Sequence, residues 1–109
     1  MLPDSFQTDT LENRCRPFAW LQAVAERPWP ALLESARPGG VNGRWSILCW
    51  DPFLTAVCRE GVVRVRDTRT GAEEVFRGAP FRVVARLLDR YRMPAPGGGE
   101  LPFLGGAVG

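Results

Sequence analysis

The residues able to do acid–base or nucleophilic chemistry are few in this chain of 109 residues. There is no histidine, and all 14 basic residues are arginine, so lysine is absent too. A histidine base or metal ligand, a lysine Schiff base and a lysine phosphate clamp are therefore excluded within this chain. Arginine stays protonated and cannot act as a base. Any such chemistry falls to carboxylates, cysteine or Tyr91.

The three cysteines, Cys15, Cys49 and Cys58, predict neither disulfides nor a metal site. Residues 1–14 have neither a basic start nor an apolar stretch, which argues against a secretory signal. An odd number of cysteines without such a signal indicates reduced thiols in the cytoplasm. Their spacing matches no metal motif. Cys49 and Cys58 stand in apolar stretches and are expected to be small buried hydrophobes.

Two helices are predicted, and proline begins each of them. The first starts at Pro17 and has an apolar face with helical spacing, and Pro28 is expected to end it. The second starts at Pro80. Its apolar side comprises Val83, Val84, Leu87, Leu88 and Tyr91, and a row of arginines on another side comprises Arg82, Arg86 and Arg90. We interpret that row as a solvated helix face, because Asp89 interrupts it and no aromatic residue is interleaved.

Short strands are expected between the helices, over residues 29–35, 44–51, 53–59, 62–66 and about 72–76. Alternation of Val63 and Val65 with Arg64 and Arg66 predicts a half-exposed strand in an antiparallel meander. We expect an α+β fold: antiparallel strands with two helices packed on one side. Adjacent glutamates, Glu73 and Glu74, should point to opposite sheet faces and not share a site. The indoles of Trp20, Trp29 and Trp50 are expected in the core.

The last segment is glycine-rich and apolar. Residues 94–99 resemble a flexible connection, and Leu101–Gly109 predicts a final strand whose glycines allow close backbone approach. A strand of this kind normally continues into a partner, so we expect a longer protein. The expected organisation is a flexible N-terminus over 1–14 followed by one domain over 15–109.

Four motifs in order resemble a known family. They are Pro-Trp-Pro-Ala-Leu-Leu-Glu-Ser (28–35), Gly-Arg-Trp-Ser-Ile-Leu (43–48), Asp-Pro (51–52) and Leu-Pro-Phe-Leu-Gly-Gly-Ala-Val-Gly (101–109). Together they resemble the N-terminal region of the chorismate-utilising component I enzymes, which include anthranilate synthase and aminodeoxychorismate synthase. The resemblance is closer to the aminodeoxychorismate group.

This resemblance implies half of a two-sheet scaffold, truncated before the catalytic chorismate-binding domain. In the parent enzyme, chorismate is aminated at the 4-position with ammonia that a separate glutaminase subunit releases from glutamine, for 4-aminobenzoate and folate synthesis. The Mg²⁺-binding carboxylates and the catalytic groups belong to that other half. The resemblance thus implies no catalytic residue and no cofactor here, and it makes this portion alone inactive.

The resemblance also implies part of a tryptophan pocket. The matching positions are Ser35, Asn42, Gly43, Arg44 and Trp45, with Glu34 a weaker match. A hydroxyl, loop backbone groups, a guanidinium and an indole suit the ammonium, carboxylate and ring of L-tryptophan. Other interpretations stay open at this stage. Ser35 could satisfy backbone groups at a strand end, Asn42-Gly43 could be an ordinary turn, and Trp45 could be core beside a solvated Arg44.

The sequence leaves two other functions open. The segment Leu-Leu-Glu-Ser, followed after ten residues by Ser46, also suits anthranilate synthase component I, where the pocket is a feedback site. A basic binding module is the third hypothesis, since residues 59–92 contain nine arginines against five acids. Nucleic acid is not favoured as a partner, because the charges are interspersed and no stacking platform is evident. No membrane span is expected, since no apolar run approaches ~18 residues.

Overall fold

The computed structural model describes residues 9–12, 15–34, 45–93 and 105–109, and it confirms the α+β class. The chain divides into two compact units, one of residues 10–52 and one of residues 53–109 together with 1–9. The elements in chain order are α1 (Pro17–Ala23), β1 (Ala31–Glu34), β2 (Ser46–Cys49), β3 (Leu54–Arg59), β4 (Val62–Asp67), β5 (Glu73–Arg77) and α2 (Pro80–Arg90).

The first unit contains a short helix on a two-stranded sheet. Helix α1 starts at Pro17 as predicted, but it ends at Ala23, well before Pro28. Turns follow the helix, and the Arg27 amide donates to the Val24 carbonyl. Proline disfavours helix at the residue before it, and the chain must reverse here to enter β1. Strands β1 and β2 pair antiparallel from Ala31 opposite Cys49 to Glu34 opposite Ser46.

The expectation that three indoles are core residues is wrong. Trp20 is 39% exposed, Trp29 is 59% exposed and Trp50 is 45% exposed. A helix of seven residues and two strands of four residues have too little surface to cover them. No described residue of this unit is buried.

The second unit contains the predicted meander, in which β4 lies between β3 and β5. Val63 and Val65 are buried at 2% and 4% exposure, whereas the intervening Arg64 is exposed, as the alternation predicts. A two-residue turn joins β3 to β4, with positive φ at Glu60 (53°) and Gly61 (74°). Turns of this kind match the right-handed twist of the paired strands.

Helix α2 completes the core of the second unit. It begins at Pro80 as predicted and buries Val83, which joins Val63 and Val65 in one apolar cluster. Leu54, Phe76 and Leu87 pack against that cluster. Two large apolar side chains of the helix are exposed, Phe81 at 86% and Leu88 at 46%.

Two further expectations differ from the structure. Residues 105–109 form no strand, and positive φ at Gly105 (139°) and Gly106 (146°) departs from strand geometry there. The rest of that predicted strand, 101–104, lies outside the described residues. Cys58 is exposed rather than buried, because it sits on β3, at the edge of its sheet; all three cysteines are free thiols. Among the described helices, none combines the length and the apolarity needed to cross a membrane.

Candidate functional site

One end of the β1–β2 sheet carries the described part of the tryptophan-pocket prediction. Glu34 ends β1 directly opposite Ser46, which begins β2. Glu34 is exposed, and Trp45, one residue before β2, is half-buried. The residues that flank the stretch 35–44 therefore lie at the same end of this sheet. The other predicted pocket residues, Ser35, Asn42, Gly43 and Arg44, lie outside the described residues.

The opposite end of this sheet is closed by an ion pair. The Arg27 side chain donates from Nε to Oδ2 of Asp51 at 3.0 Å, and its Nη2 donates to the same oxygen. The Asp51 amide also donates to the Pro28 carbonyl at 2.9 Å. The hydrogen bond to Asp51 raises the pKa of Arg27 above its ordinary value. Because the guanidinium already holds a carboxylate, Arg27 is a clamp on the sheet rather than an open anion site.

A second polar cluster lies on the turn after β4. Asp67 Oδ1 accepts from the Arg69 amide at 2.8 Å and from Arg69 Nε at 3.1 Å. Its Oδ2 accepts from Arg69 Nη2 at 2.8 Å. These hydrogen bonds from Arg69 lower the pKa of Asp67 to about 2, against the opposing effect of partial burial. Asp67 is therefore ionised at neutral pH and is a poor general base.

Aromatic rings join this turn to the end of α2. The Arg69 guanidinium lies 4.9 Å from the ring centroid of Phe53. Phe53 and Tyr91 meet edge to face, with centroids 5.1 Å apart. Tyr91 also contributes to raising the pKa of Arg69, after the larger effect of Asp67. The cluster thus satisfies its own charges and fastens the turn to the helix, so we assign it a structural role.

Sequence reasoning did not find this cluster. An aspartate two residues before an arginine in a Gly-containing turn is a local signal for the Asp67–Arg69 bonds. No pattern links Phe53 with Tyr91, because their contact depends on where α2 returns to the sheet.

The prediction that the adjacent glutamates serve different faces is confirmed. Glu73 accepts from Arg64 Nη1 at 3.1 Å, whereas Glu74 accepts from Arg90 on α2 at 3.4 Å. In the described part of the chain, no three acidic, cysteine or histidine side chains lie close enough to hold a metal ion. Five carboxylates in the described part of the chain each accept a hydrogen bond from an arginine, namely Asp51, Asp67, Glu73, Glu74 and Asp89.

Comparison with known proteins finds two informative relatives. The chain is 30% identical to an aminodeoxychorismate synthase component 1 from Escherichia coli over 110 aligned positions, which cover 92% of the chain and 23% of that protein. It is 34% identical to an anthranilate synthase component 1 from Synechocystis sp. over 74 residues, which cover 68% of the chain and 14% of that protein. The chain thus spans less than a quarter of the length of either relative. No protein-family model matches the chain, and no solved structure matches it.

Proposed function

Over the region that matches its relatives, the chain belongs to the family of chorismate-utilising component I enzymes, and we propose that it is an N-terminal scaffold segment of an aminodeoxychorismate synthase component I. The observation that carries the proposal is the extent of the match to the E. coli relative, which covers 92% of the chain. The parent activity is amination of chorismate to 4-amino-4-deoxychorismate, for 4-aminobenzoate and folate synthesis.

The residues of this segment favour a structural role over a catalytic one. Histidine and lysine are absent, and Asp51 and Asp67 are each bound to an arginine. The hydrogen bonds from Arg69 hold the pKa of Asp67 at about 2, so Asp67 is a poor acid–base catalyst at neutral pH. On this proposal the chorismate-binding domain, with its Mg²⁺ and its catalytic groups, lies elsewhere in the parent. A glutaminase subunit supplies the ammonia, and the assembly works in the cytoplasm.

The segment also contributes one wall of a tryptophan pocket on this proposal. The pocket residues are Ser35, Asn42, Gly43, Arg44 and Trp45. The position of Glu34 and Trp45 supports this pocket. These residues precede and follow the stretch 35–44, and both lie at the same end of the β1–β2 sheet. By their chemistry, a serine hydroxyl and a guanidinium suit the carboxylate of free L-tryptophan, and the half-buried Trp45 indole offers a surface for its ring.

An anthranilate synthase component I is the second candidate. The observation in its favour is the higher identity, 34%, to the Synechocystis relative, although over a shorter part of the chain. On that alternative the same pocket serves feedback control of tryptophan synthesis.

The product of the full gene distinguishes the two candidates. We would incubate it with chorismate, ammonium ions and Mg²⁺ and identify the product by mass spectrometry. We expect 4-amino-4-deoxychorismate. Anthranilate as the main product would establish the second candidate instead, and consumption of no chorismate under these conditions would contradict both.

Calorimetric titration with L-tryptophan tests the pocket separately. Ser35→Ala and Arg44→Met should each weaken binding about tenfold or more, since a hydrogen bond to a charged group contributes about 1.5–3 kcal/mol. Arg86→Met, on the exposed side of α2, is the matched control and should bind as the wild type does. Equal affinities for all four proteins would remove these residues from the pocket and leave the family assignment untouched.

A further inference from the structure

The three-stranded sheet has a second face that is strongly basic. The buried side chains Val63 and Val65 point toward α2, so their neighbours on β4 point the other way. The register places on that other face four exposed arginines, Arg59, Arg64, Arg66 and Arg77, which we call the arginine face. Glu73 is the acidic residue that the register puts among them.

Most of this charge is unpaired within the described chain. Arg64 donates to Glu73 at 3.1 Å, so one guanidinium of the arginine face already holds a carboxylate. For Arg59, Arg66 and Arg77, the described residues provide no ion pair. Arg59 and Arg77 lie opposite Val62 on its two sides, so they stand two strand spacings apart, about 10 Å.

Aliphatic side chains fill the spaces between these charges. Val57 and Val75 lie opposite Arg64 on its two sides, and they are 39% and 54% exposed. An exposed mixture of valine and arginine on a sheet face costs solubility without contributing to the core, and such patches mark interaction sites. The registered residues of β3, β4 and β5 place no aromatic side chain on this face, so within these strands the bases of a nucleic acid have no ring to stack on.

We propose that the arginine face is a docking site for an acidic amphipathic helix of a partner protein. Charge complementarity selects this partner. Each guanidinium can donate two hydrogen bonds to a carboxylate, and the valines can pack against the apolar side chains that lie between the acidic residues of such a helix. The dimensions agree, because a helix is about 10–12 Å across with its side chains and the three strands span about 10 Å. Such a small contact makes a weak, transient complex.

Fluorescence anisotropy on the full chain that the gene encodes tests this site. The probe is a labelled synthetic peptide of about 15 residues, long enough for a helix, with a leucine stripe flanked by glutamates. A peptide with lysine in place of glutamate and a single-stranded oligothymidine are the comparison probes. We expect the acidic peptide to bind with a micromolar dissociation constant that rises about tenfold on going from low to high salt. The lysine peptide should not bind.

A matched pair of variants localises the binding. Arg59→Glu with Arg77→Glu reverses two charges on the arginine face and should weaken peptide binding at least about tenfold. Arg82→Glu with Arg86→Glu makes the same change of charge on the exposed side of α2 and should leave the affinity within about twofold of the wild type. If circular dichroism shows that the first pair does not fold, Arg59→Gln with Arg77→Gln replaces it, with a smaller loss in the same direction.

Three results would overturn the proposal. The first is that the wild type does not bind the acidic peptide, which is the result expected if another part of the same protein covers the arginine face. The second is an equal loss of affinity in both charge-reversed pairs, which reflects net charge alone. The third is tighter binding of the oligothymidine, lost in the Arg59/Arg77 variant, which would assign the face to nucleic acid.

Discussion

The two regions that pair a helix with an antiparallel sheet, residues 15–52 and 53–93, differ in whether they bury a core. In the second region, Val63, Val65 and Val83 are buried between β4 and α2. In the described part of the first region no side chain is buried, and Trp29, Leu33 and Trp50 are all exposed. Strands β1 and β2 are instead joined by their antiparallel pairing, with the exposed ion pair Arg27–Asp51 at one end.

The difference follows from the size and arrangement of the elements. Strand β4 has a neighbour on each side, and helix α2 has 11 residues to lay against it. Helix α1 has seven residues, and it faces a sheet of two strands. A two-stranded hairpin is marginally stable by itself, whereas three strands packed on a helix can be independently stable. The chain thus contains one region with its own core and one whose stability depends on further contacts.

The largest change in stability is expected from a cavity in the core of the second region. Val63→Ala should lower the free energy of unfolding by about 2 kcal/mol, at the low end for truncation of a buried aliphatic side chain. Val75→Ala, on the same sheet but 54% exposed, is the matched control and should cost less than about 1 kcal/mol. Chemical denaturation followed by circular dichroism measures both. Equal losses would mean that the cluster around Val63 is not the source of stability.

The turn between β3 and β4 tests how much backbone strain affects the stability of the second region. Gly61 has φ of 74° and open space around the position of a Cβ, so Gly61→Ala tests conformation without a clash. We expect a loss of about 1 kcal/mol, because an L side chain disfavours this region of backbone space. The neighbouring Glu60 also has positive φ, and Glu60→Asn should stabilise the turn by about 0.5 kcal/mol. If thermal melts show that Gly61→Ala and Glu60→Asn both raise or both lower the melting temperature, this account of the turn is contradicted.

Acid tests the stability of the second region through Asp67. Its pKa is about 2 in the folded chain, whereas an unperturbed aspartate has a pKa of about 4. The folded state therefore binds fewer protons between these values. The stabilising contribution of Asp67 is complete above about pH 4 and is lost as the pH falls toward 2. Asp67→Asn should flatten the fall in stability over this window, measured by urea unfolding at several pH values. Asp89→Asn, which removes an exposed pair with Arg92, is the control that shows the effect of losing one aspartate charge.

The smallest effect is expected from the clamp of the first region. Asp51→Asn keeps the size of the side chain and the tolerance of asparagine for positive φ, but it removes the charge that Arg27 binds. The midpoint of thermal unfolding should fall by a few degrees at most, because exposed ion pairs contribute little. Tryptophan fluorescence reports this region, since all four tryptophans lie within residues 10–52. A drop no larger than that of Asp89→Asn would show that the clamp contributes nothing.

The core of the second region was predictable because its pattern is local. Alternation around Val63 and helical spacing from Val83 to Tyr91 each identify one apolar face, and the two faces pack together. The end of α1 and the exposure of Trp29 and Trp50 were not predictable, since burial depends on how much other surface is present. The contact between Phe53 and Tyr91 also depends on tertiary structure.

For the candidate site, the sequence indicates residues rather than geometry. Of the predicted pocket positions, the structure describes Trp45 and the weaker candidate Glu34, and it puts them at one end of the β1–β2 sheet. Ser35 and Arg44 stay predictions. The arginine face became visible only with the strand register, because its members are scattered over three strands in the sequence.

Hydrogen–deuterium exchange on the 109-residue chain tests most directly whether only the second region has its own core. Slow exchange reports amides that open only in the most stable part of a fold. We predict that the β4 amides exchange at least about tenfold more slowly than those of β1 and β2, as a difference of about 1.4 kcal/mol requires. Protection of β1 and β2 equal to that of β4 would contradict the account.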